Sequence, residues 1–109
     1  MTIEFVNYKG KKVIALSGDI DMYSSPDLRK ELMALIKKKA SSLLIDFTSV
    51  SYIDSSGIAT FVESLKYMKS YGGRLRLFCL PGRIVEIFRF SKLDRVFEIY
   101  GSIDDAIEG

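Results

Sequence analysis

Asp54-Ser55-Ser56-Gly57 stands between the apolar run Leu43-Leu44-Ile45 and an amphipathic segment that begins at Ile58. A strand that feeds a helix through a tight polar turn leaves backbone N–H groups of the first helical turn without partners, and a hydroxyl placed there is suited to carry a phosphate. Beyond the turn, Ile58, Phe61, Val62, Leu65 and Met68 recur at helical spacing while Glu63, Lys66 and Lys69 lie off that stripe. The reading is therefore strand, turn, helix, with a loop from Thr48 to Ile53 joining the strand Leu43 to Phe47 to the turn.

The flanking sequence repeats this alternation. Thr2 to Tyr8 and Lys12 to Ser17 are rich in Ile, Phe, Val and Leu and are separated by Lys9-Gly10-Lys11, which predicts a hairpin with Gly10 in its turn. A polar loop, Gly18-Asp19-Ile20-Asp21-Met22-Tyr23, leads to Ser24-Ser25-Pro26-Asp27, a helix start because proline loses nothing in the first turn. Leu28, Leu32, Leu35 and Ile36 give that helix its apolar face, and Lys37-Lys38-Lys39 close it, where cations complement the dipole. Gly72-Gly73 stops the next helix. Arg74 to Cys79 then alternate as a strand, Leu80-Pro81-Gly82 opens a helix carrying Ile84, Ile87 and Phe88, and Val96 to Tyr100 reads as the last strand. Ser102-Ile103-Asp104-Asp105 is the capped start of a terminal helix. This order predicts one α/β domain over residues 1–109, with a mixed, mostly parallel sheet, an N-terminal β-hairpin and helices packed on it. Right-handed crossovers bring the loop with Asp19 and Asp21 to the same sheet edge as Asp54 to Gly57, and function in open α/β sheets tends to sit at the carboxyl ends of parallel strands.

Composition narrows the chemistry. The chain of 109 residues is 48% apolar and 28% charged, within the range of ordinary globular domains. Its formal charge of +2 is mild and its basic residues are scattered, so no nucleic-acid partner is expected. No apolar run approaches the ~20 residues needed to span a bilayer, and Met1-Thr2-Ile3-Glu4 lacks the features of a signal peptide, which predicts a cytoplasmic chain without membrane insertion. The single cysteine, Cys79, forms no internal disulfide and is expected as a small buried hydrophobe. Histidine is absent, which removes Ser-His-Asp and Cys-His nucleophile pairs, imidazole bases and His-containing zinc sites. Neither a metal nor a cofactor is expected, and the chain is read as non-catalytic.

Local chemistry leaves two readings of the turn. Ser55 or Ser56 serves simply as an N-cap, with Gly57 permitting close packing. Alternatively one hydroxyl accepts a phosphoryl group. Asp54 favours the second reading, because another short polar group at the same cap is redundant for capping.

The chain resembles the STAS domain family, specifically the small stand-alone anti-sigma-factor antagonists. Ser17-Gly18-Asp19-Ile20-Asp21 is similar to the family's early Gly-x-x-Asp loop, and Tyr52-Ile53-Asp54-Ser55-Ser56-Gly57 to its phosphorylation motif. Gly72-Gly73 with Leu75 and Leu77 resembles the third crossover, and Phe90-Ser91-Lys92-Leu93 with Phe97, Ile99 and Tyr100 the C-terminal signature. The resemblance implies partner switching. The dephosphorylated antagonist binds an anti-sigma factor that is also a serine kinase, freeing a sigma factor; ATP-dependent phosphorylation of the serine after the motif's aspartate, here Ser55, dissolves the complex. Ser56 is the second choice of acceptor. A PP2C-type phosphatase, with its own metal ions, restores the free serine. By the same resemblance Asp54 orients the acceptor, Gly57 allows close approach, and Asp19, Asp21 and Ser56 belong to the surroundings that meet the partner. Two positions depart from the pattern: Ala59, small enough to keep close packing, replaces a frequent second glycine, and Lys92 stands where glycine is common.

Two further readings compete. The domain could serve a stress-signalling scaffold or a lipid or anion transport complex instead. A receiver-like phosphoacceptor would use an aspartate at a strand end, Asp46 or the Asp19/Asp21 pair, although the opening hairpin is wrong for that fold.

Overall fold

The computed structural model describes all residues, Met1 to Gly109. Its elements follow in the order β1 (Thr2–Tyr8), β2 (Lys11–Ile20), α1 (Ser25–Lys37), β3 (Ser42–Ile53), α2 (Ser55–Lys69), β4 (Arg74–Phe78), α3 (Gly82–Phe90), a 3-10 turn (Leu93–Arg95), β5 (Glu98–Tyr100) and α4 (Ile103–Glu108). The strands lie side by side in sequence order in one five-stranded sheet. β1 is antiparallel to β2, and every later pair is parallel. The hairpin, the mixed sheet and the helical crossovers are those expected.

Crossovers of one hand between successive neighbours place their helices on one face of the sheet. The core divides accordingly. The main cluster packs Ile14, Leu16, Ile45, Phe47, Leu75 and Leu77 of the sheet against Leu28 and Leu32 of α1, Phe61, Leu65 and Met68 of α2, and Ile84 and Phe88 of α3. At its centre Phe47 meets Phe61 at 5.4 Å and Phe88 edge-on at 6.5 Å, while Phe88 meets Phe97 at 5.6 Å. On the other face only α4 covers the sheet, with Ala106 against Val13, Leu44 and Phe78.

Several boundaries differ from the sequence reading. β2 continues through Gly18 and Asp19 to Ile20, and β3 through Thr48 to Ile53, so the first half of the loop read at Gly18 to Tyr23 and all of that read at Thr48 to Ile53 are strand, while Asp21 to Tyr23 stay outside it. They pair as Gly18↔Val50 after one register irregularity, and as Asp19↔Tyr52 and Ile20↔Ile53 after a second. Those irregularities break the two-residue alternation, leaving only Val50 and Ile53 buried in the end of β3. Val96 lies outside β5 and is exposed, because the 3-10 turn occupies the chain just before it. Cys79 follows β4 rather than ending it; it adopts a φ of 56°, is half-buried, and its thiol lies 3.4 Å from the Gly101 carbonyl. It still packs against the cluster of Val13, Leu44, Phe78 and Ala106, but is only partly buried rather than the buried hydrophobe expected.

Candidate functional site

The carboxyl ends of β2 and β3 meet at the start of α2. Asp54 occupies the N-cap with extended backbone, and its N–H donates to the Ile20 carbonyl at 3.0 Å, tying the cap to the end of β2. Its carboxylate Oδ1 accepts from the Ser56 N–H at 2.9 Å, the Gly57 N–H at 3.2 Å and the Ser56 hydroxyl at 2.6 Å. The Ser56 hydroxyl is the main cause that holds the Asp54 carboxyl below the usual carboxylate range, with backbone N–H groups of Gly57, Ser56 and Met22 adding to it. The cap is therefore Asp54, and neither serine fills that role.

This assignment separates the two hydroxyls. Ser56 is half-buried and committed to Asp54. Ser55 is exposed at the first position of α2 and makes no hydrogen bond, so its hydroxyl is free to react at an end of the helix that favours anions. Gly57 sits where a side chain has no room: a Cβ there would lie 2.7 Å from Ile20 Cγ2, 2.8 Å from Ile53 Cγ1 and 3.1 Å from the Ile20 carbonyl oxygen. The glycine lets the first turn of α2 rest directly on the ends of β2 and β3. Ala59 has no such duty. It is exposed on the outer side of α2, so the close packing expected of it is not used.

Asp19 and Asp21 reach the same edge by different routes. Asp19 is exposed on β2 beside Tyr52. Asp21 is built into the turn that starts α1: its carboxylate accepts from the N–H groups of Tyr23 at 2.9 Å and Ser24 at 3.1 Å, while the Ser24 hydroxyl accepts from the Asp21 N–H at 2.9 Å. This reciprocal turn presents Met22 and Tyr23 to solvent, 65% and 85% exposed, with Tyr52 half-exposed nearby on β3. Asp46 is remote from this edge. It lies within β3 and accepts from the backbone N–H and hydroxyl of Thr48.

A groove of about 780 Å³ starts at Ser55 and runs along the outer face of α2 past Ile58, Ala59, Val62 and Tyr67. Sequence periodicity places Ile58 and Val62 in the core stripe with Phe61, Leu65 and Met68. The last three are fully buried, while Ile58 and Val62 are half-buried: they pack against the core as expected and also line the groove. No helix of the structure is long and apolar enough to cross a membrane. No three His, Cys, Asp or Glu side chains gather as a metal-ligand set.

Similarity to known proteins runs over the whole of this arrangement. The model of the STAS domain matches residues 2–106. An anti-sigma-B factor antagonist of Bacillus subtilis (strain 168) is 34% identical over 95 residues, covering 87% of this chain and 86% of that protein. An anti-sigma factor antagonist from Mycobacterium paratuberculosis superposes with a TM-score of 0.86 at 24% identity, covering 98% of this chain and 91% of that one. The Bacillus cell fate determinant SpoIIAA, solved in its phosphorylated form, superposes with a TM-score of 0.74 at 21% identity over 98% of this chain and 97% of that one. The matched fold, the Asp54-capped turn and the extent of the match make this chain a member of the STAS domain family.

Proposed function

We propose that the chain is an anti-sigma factor antagonist that acts by partner switching, with Ser55 as its phosphorylation site. The observation that carries this reading is the exposed, unbonded Ser55 hydroxyl beside a cap already completed by Asp54 and Ser56. The name of the Bacillus subtilis relative and the phosphorylated form of SpoIIAA support it. The unphosphorylated domain binds an anti-sigma factor that is also an ATP-dependent serine kinase and thereby releases a sigma factor. Phosphate on Ser55 ends the complex, and a PP2C-type phosphatase reverses the mark. The domain itself is a substrate and ligand, without catalysis or cofactor of its own.

Electrostatics explains how the mark acts without unfolding the domain. A phosphate adds about −1.5 to −2 charges, and the helix N-terminus offsets part of this by roughly 0.3–1 kcal/mol. A partner carboxylate ~6 Å away would meet a penalty of roughly 3 kcal/mol per unit charge at an effective dielectric near 20. Every ~1.4 kcal/mol is a tenfold loss of affinity. Asp19 and Asp54 already make this edge acidic, while Met22, Tyr23, Tyr52 and the groove along α2 offer apolar contact.

Paired affinity captures from native lysate with Ser55→Ala and Ser55→Asp as baits test the reading. The alanine bait is expected to retain an ATPase-fold serine kinase that the aspartate bait loses. Incubating the wild-type chain with that kinase and ATP should place the phosphate on Ser55 by mass spectrometry. Recovery of the same transporter or scaffold by both baits, or a phosphate on Ser56, would overturn the assignment.

A further inference from the structure

At the amino ends of the parallel strands, the edge opposite Ser55, a cleft of about 480 Å³ opens on the sheet face that carries α4. Its charged and hydroxyl walls come from three neighbouring strand starts: Lys11 and Lys12 of β2, Ser41 and Ser42 at the entry to β3, and Arg74 and Arg76 of β4. Ser42 pairs with Arg74 and Leu44 with Arg76, while Val13 pairs with Leu44, so Lys11 falls in the row of Ser42 and Arg74. Alternation along each strand then puts Lys11, Ser42, Arg74 and Arg76 on one face, on strands about 4.8 Å apart. Lys12 stands at the rim with its ammonium over the Phe5 ring at 4.6 Å.

No Asp or Glu side chain lines the cleft; Gly109, beside it, accepts through its main-chain oxygen from Arg74 Nη1 at 3.1 Å. Glu98, on β5 beside it, is claimed by Arg74, which bonds it through both Nε and Nη2. Arg76 is left without an equivalent partner. Its side chain is only 12% exposed and its Nε is buried without a hydrogen bond, 3.9 Å from the Glu98 carboxylate across the strand pair; its one hydrogen bond runs 3.4 Å from Nη2 to the Gly109 main-chain oxygen, which Arg74 shares. A guanidinium carries five donors in a fixed fork, and a largely buried one with a single long bond is destabilising until an acceptor reaches it.

We propose that this cleft binds a small oxyanion of the phosphate class, with Arg76 and Lys11 as its main charge partners and the Ser42 hydroxyl as a further donor. The guanidinium fork matches two oxygens of a phosphoryl group, a match chloride lacks. The shared chemistry is the phosphoryl oxyanion, whether free phosphate or the phosphate of a small organic ester. The site is independent of the Ser55 reading, since it lies at the other end of the strands.

Amide shifts of the isotope-labelled full chain, followed during titration with inorganic phosphate, pyrophosphate and glycerol phosphate at constant ionic strength against chloride, test this. Saturable shifts centred on the starts of β2, β3 and β4 are expected with at least one of the three anions. Saturation by glycerol phosphate alone would identify an organic ester as the ligand class. Arg76→Gln should weaken binding by at least about tenfold and Lys11→Gln by at least about threefold, since each removes one charge-assisted partner. Lys11 is exposed, so its variant guards against a folding defect in the other. No saturable shift beyond chloride, shifts centred instead on Asp54 to Gly57, or unchanged affinity in both variants would overturn the proposal.

Discussion

The contacts of Gly57 and Asp54 determine how the Ser55 hydroxyl is presented. A methyl group at position 57 would press on Ile20 and Ile53, both essentially buried, so the first turn of α2 would have to lift from the sheet. Gly57→Ala should therefore destabilise the domain by about 1–3 kcal/mol, the range for overpacking a filled site, as read from urea unfolding. An unchanged midpoint would mean that the turn has slack the contacts do not show. Asp54 separates capping from charge. Asp54→Asn keeps an acceptor oxygen for the N–H groups of Ser56 and Gly57, whereas Asp54→Ala leaves both unpaired. The alanine variant should unfold at lower urea than the asparagine variant, and equal midpoints would show that the carboxylate's hydrogen bonds contribute nothing. Sequence chemistry located this cap but could not rank its hydroxyls, because both serines suit a helix start; only the bond from Ser56 to Asp54 distinguishes them.

Among elements, α2 carries two loads. Phe61, Leu65 and Met68 hold it to the sheet, while Tyr67, 51% exposed, stands on the groove side with Ile58 and Val62. If the groove receives the anti-sigma partner, Tyr67→Ala should weaken that complex by at least about tenfold, as truncation of an aromatic anchor does, while leaving thermal stability nearly unchanged. Titration calorimetry with the captured kinase measures it, and retention of full affinity would remove the groove from the interface. The link between α3 and β5 offers a separate test. Lys92 adopts a φ of 59° and a ψ of 20° ahead of the 3-10 turn, a left-handed conformation that side chains resist and glycine accepts. Lys92→Gly should stabilise the domain by about 0.5–1 kcal/mol once its greater unfolded-state entropy is set against the relieved strain. A lower midpoint would show that the Lys92 side chain contributes more than its backbone costs. These elements also show where sequence patterns fail. The hairpin and α1 were legible from turn and cap residues beside apolar positions, and the centre of β3 from its short continuous apolar run, which is buried on both faces of the sheet. The end of β3 was not, since its register slips against β2 and spaces Val50 and Ile53 three apart. Cys79 and Val96 were misplaced for a related reason: turns with their own backbone demands interrupt an otherwise strand-like composition.

Over the whole molecule, the absence of histidine shapes the response to pH as well as the chemistry. The carboxyls of Asp54, Glu63, Glu98 and Asp104 are held below their ordinary range, first by hydrogen bonds from Ser56, Arg29, Arg74 and Lys9 respectively. A depressed folded-state value means that the stabilisation is present above the unfolded value, about 4, and is lost as pH falls through the lower folded value. At the other end, Tyr71 is raised by burial and Tyr100 first by its bond to Glu98, so the folded state keeps protons that the unfolded state releases above about 10. Stability contributed by these tyrosines is therefore present below that value and lost as pH rises through the folded ones. Between the two limits the shifted groups hold constant charge. Urea midpoints should form a plateau from about pH 5 to about pH 9, falling below about 4 and again above about 10. A midpoint that changes steeply between pH 6 and 7 would contradict this, because none of the shifted groups titrates there. The same plateau separates regulation from folding: under the proposed role of Ser55, a change in the affinity of the phosphorylated chain for its partner within it would follow the charge of the phosphate, whose second ionisation lies near 6, rather than loss of the domain.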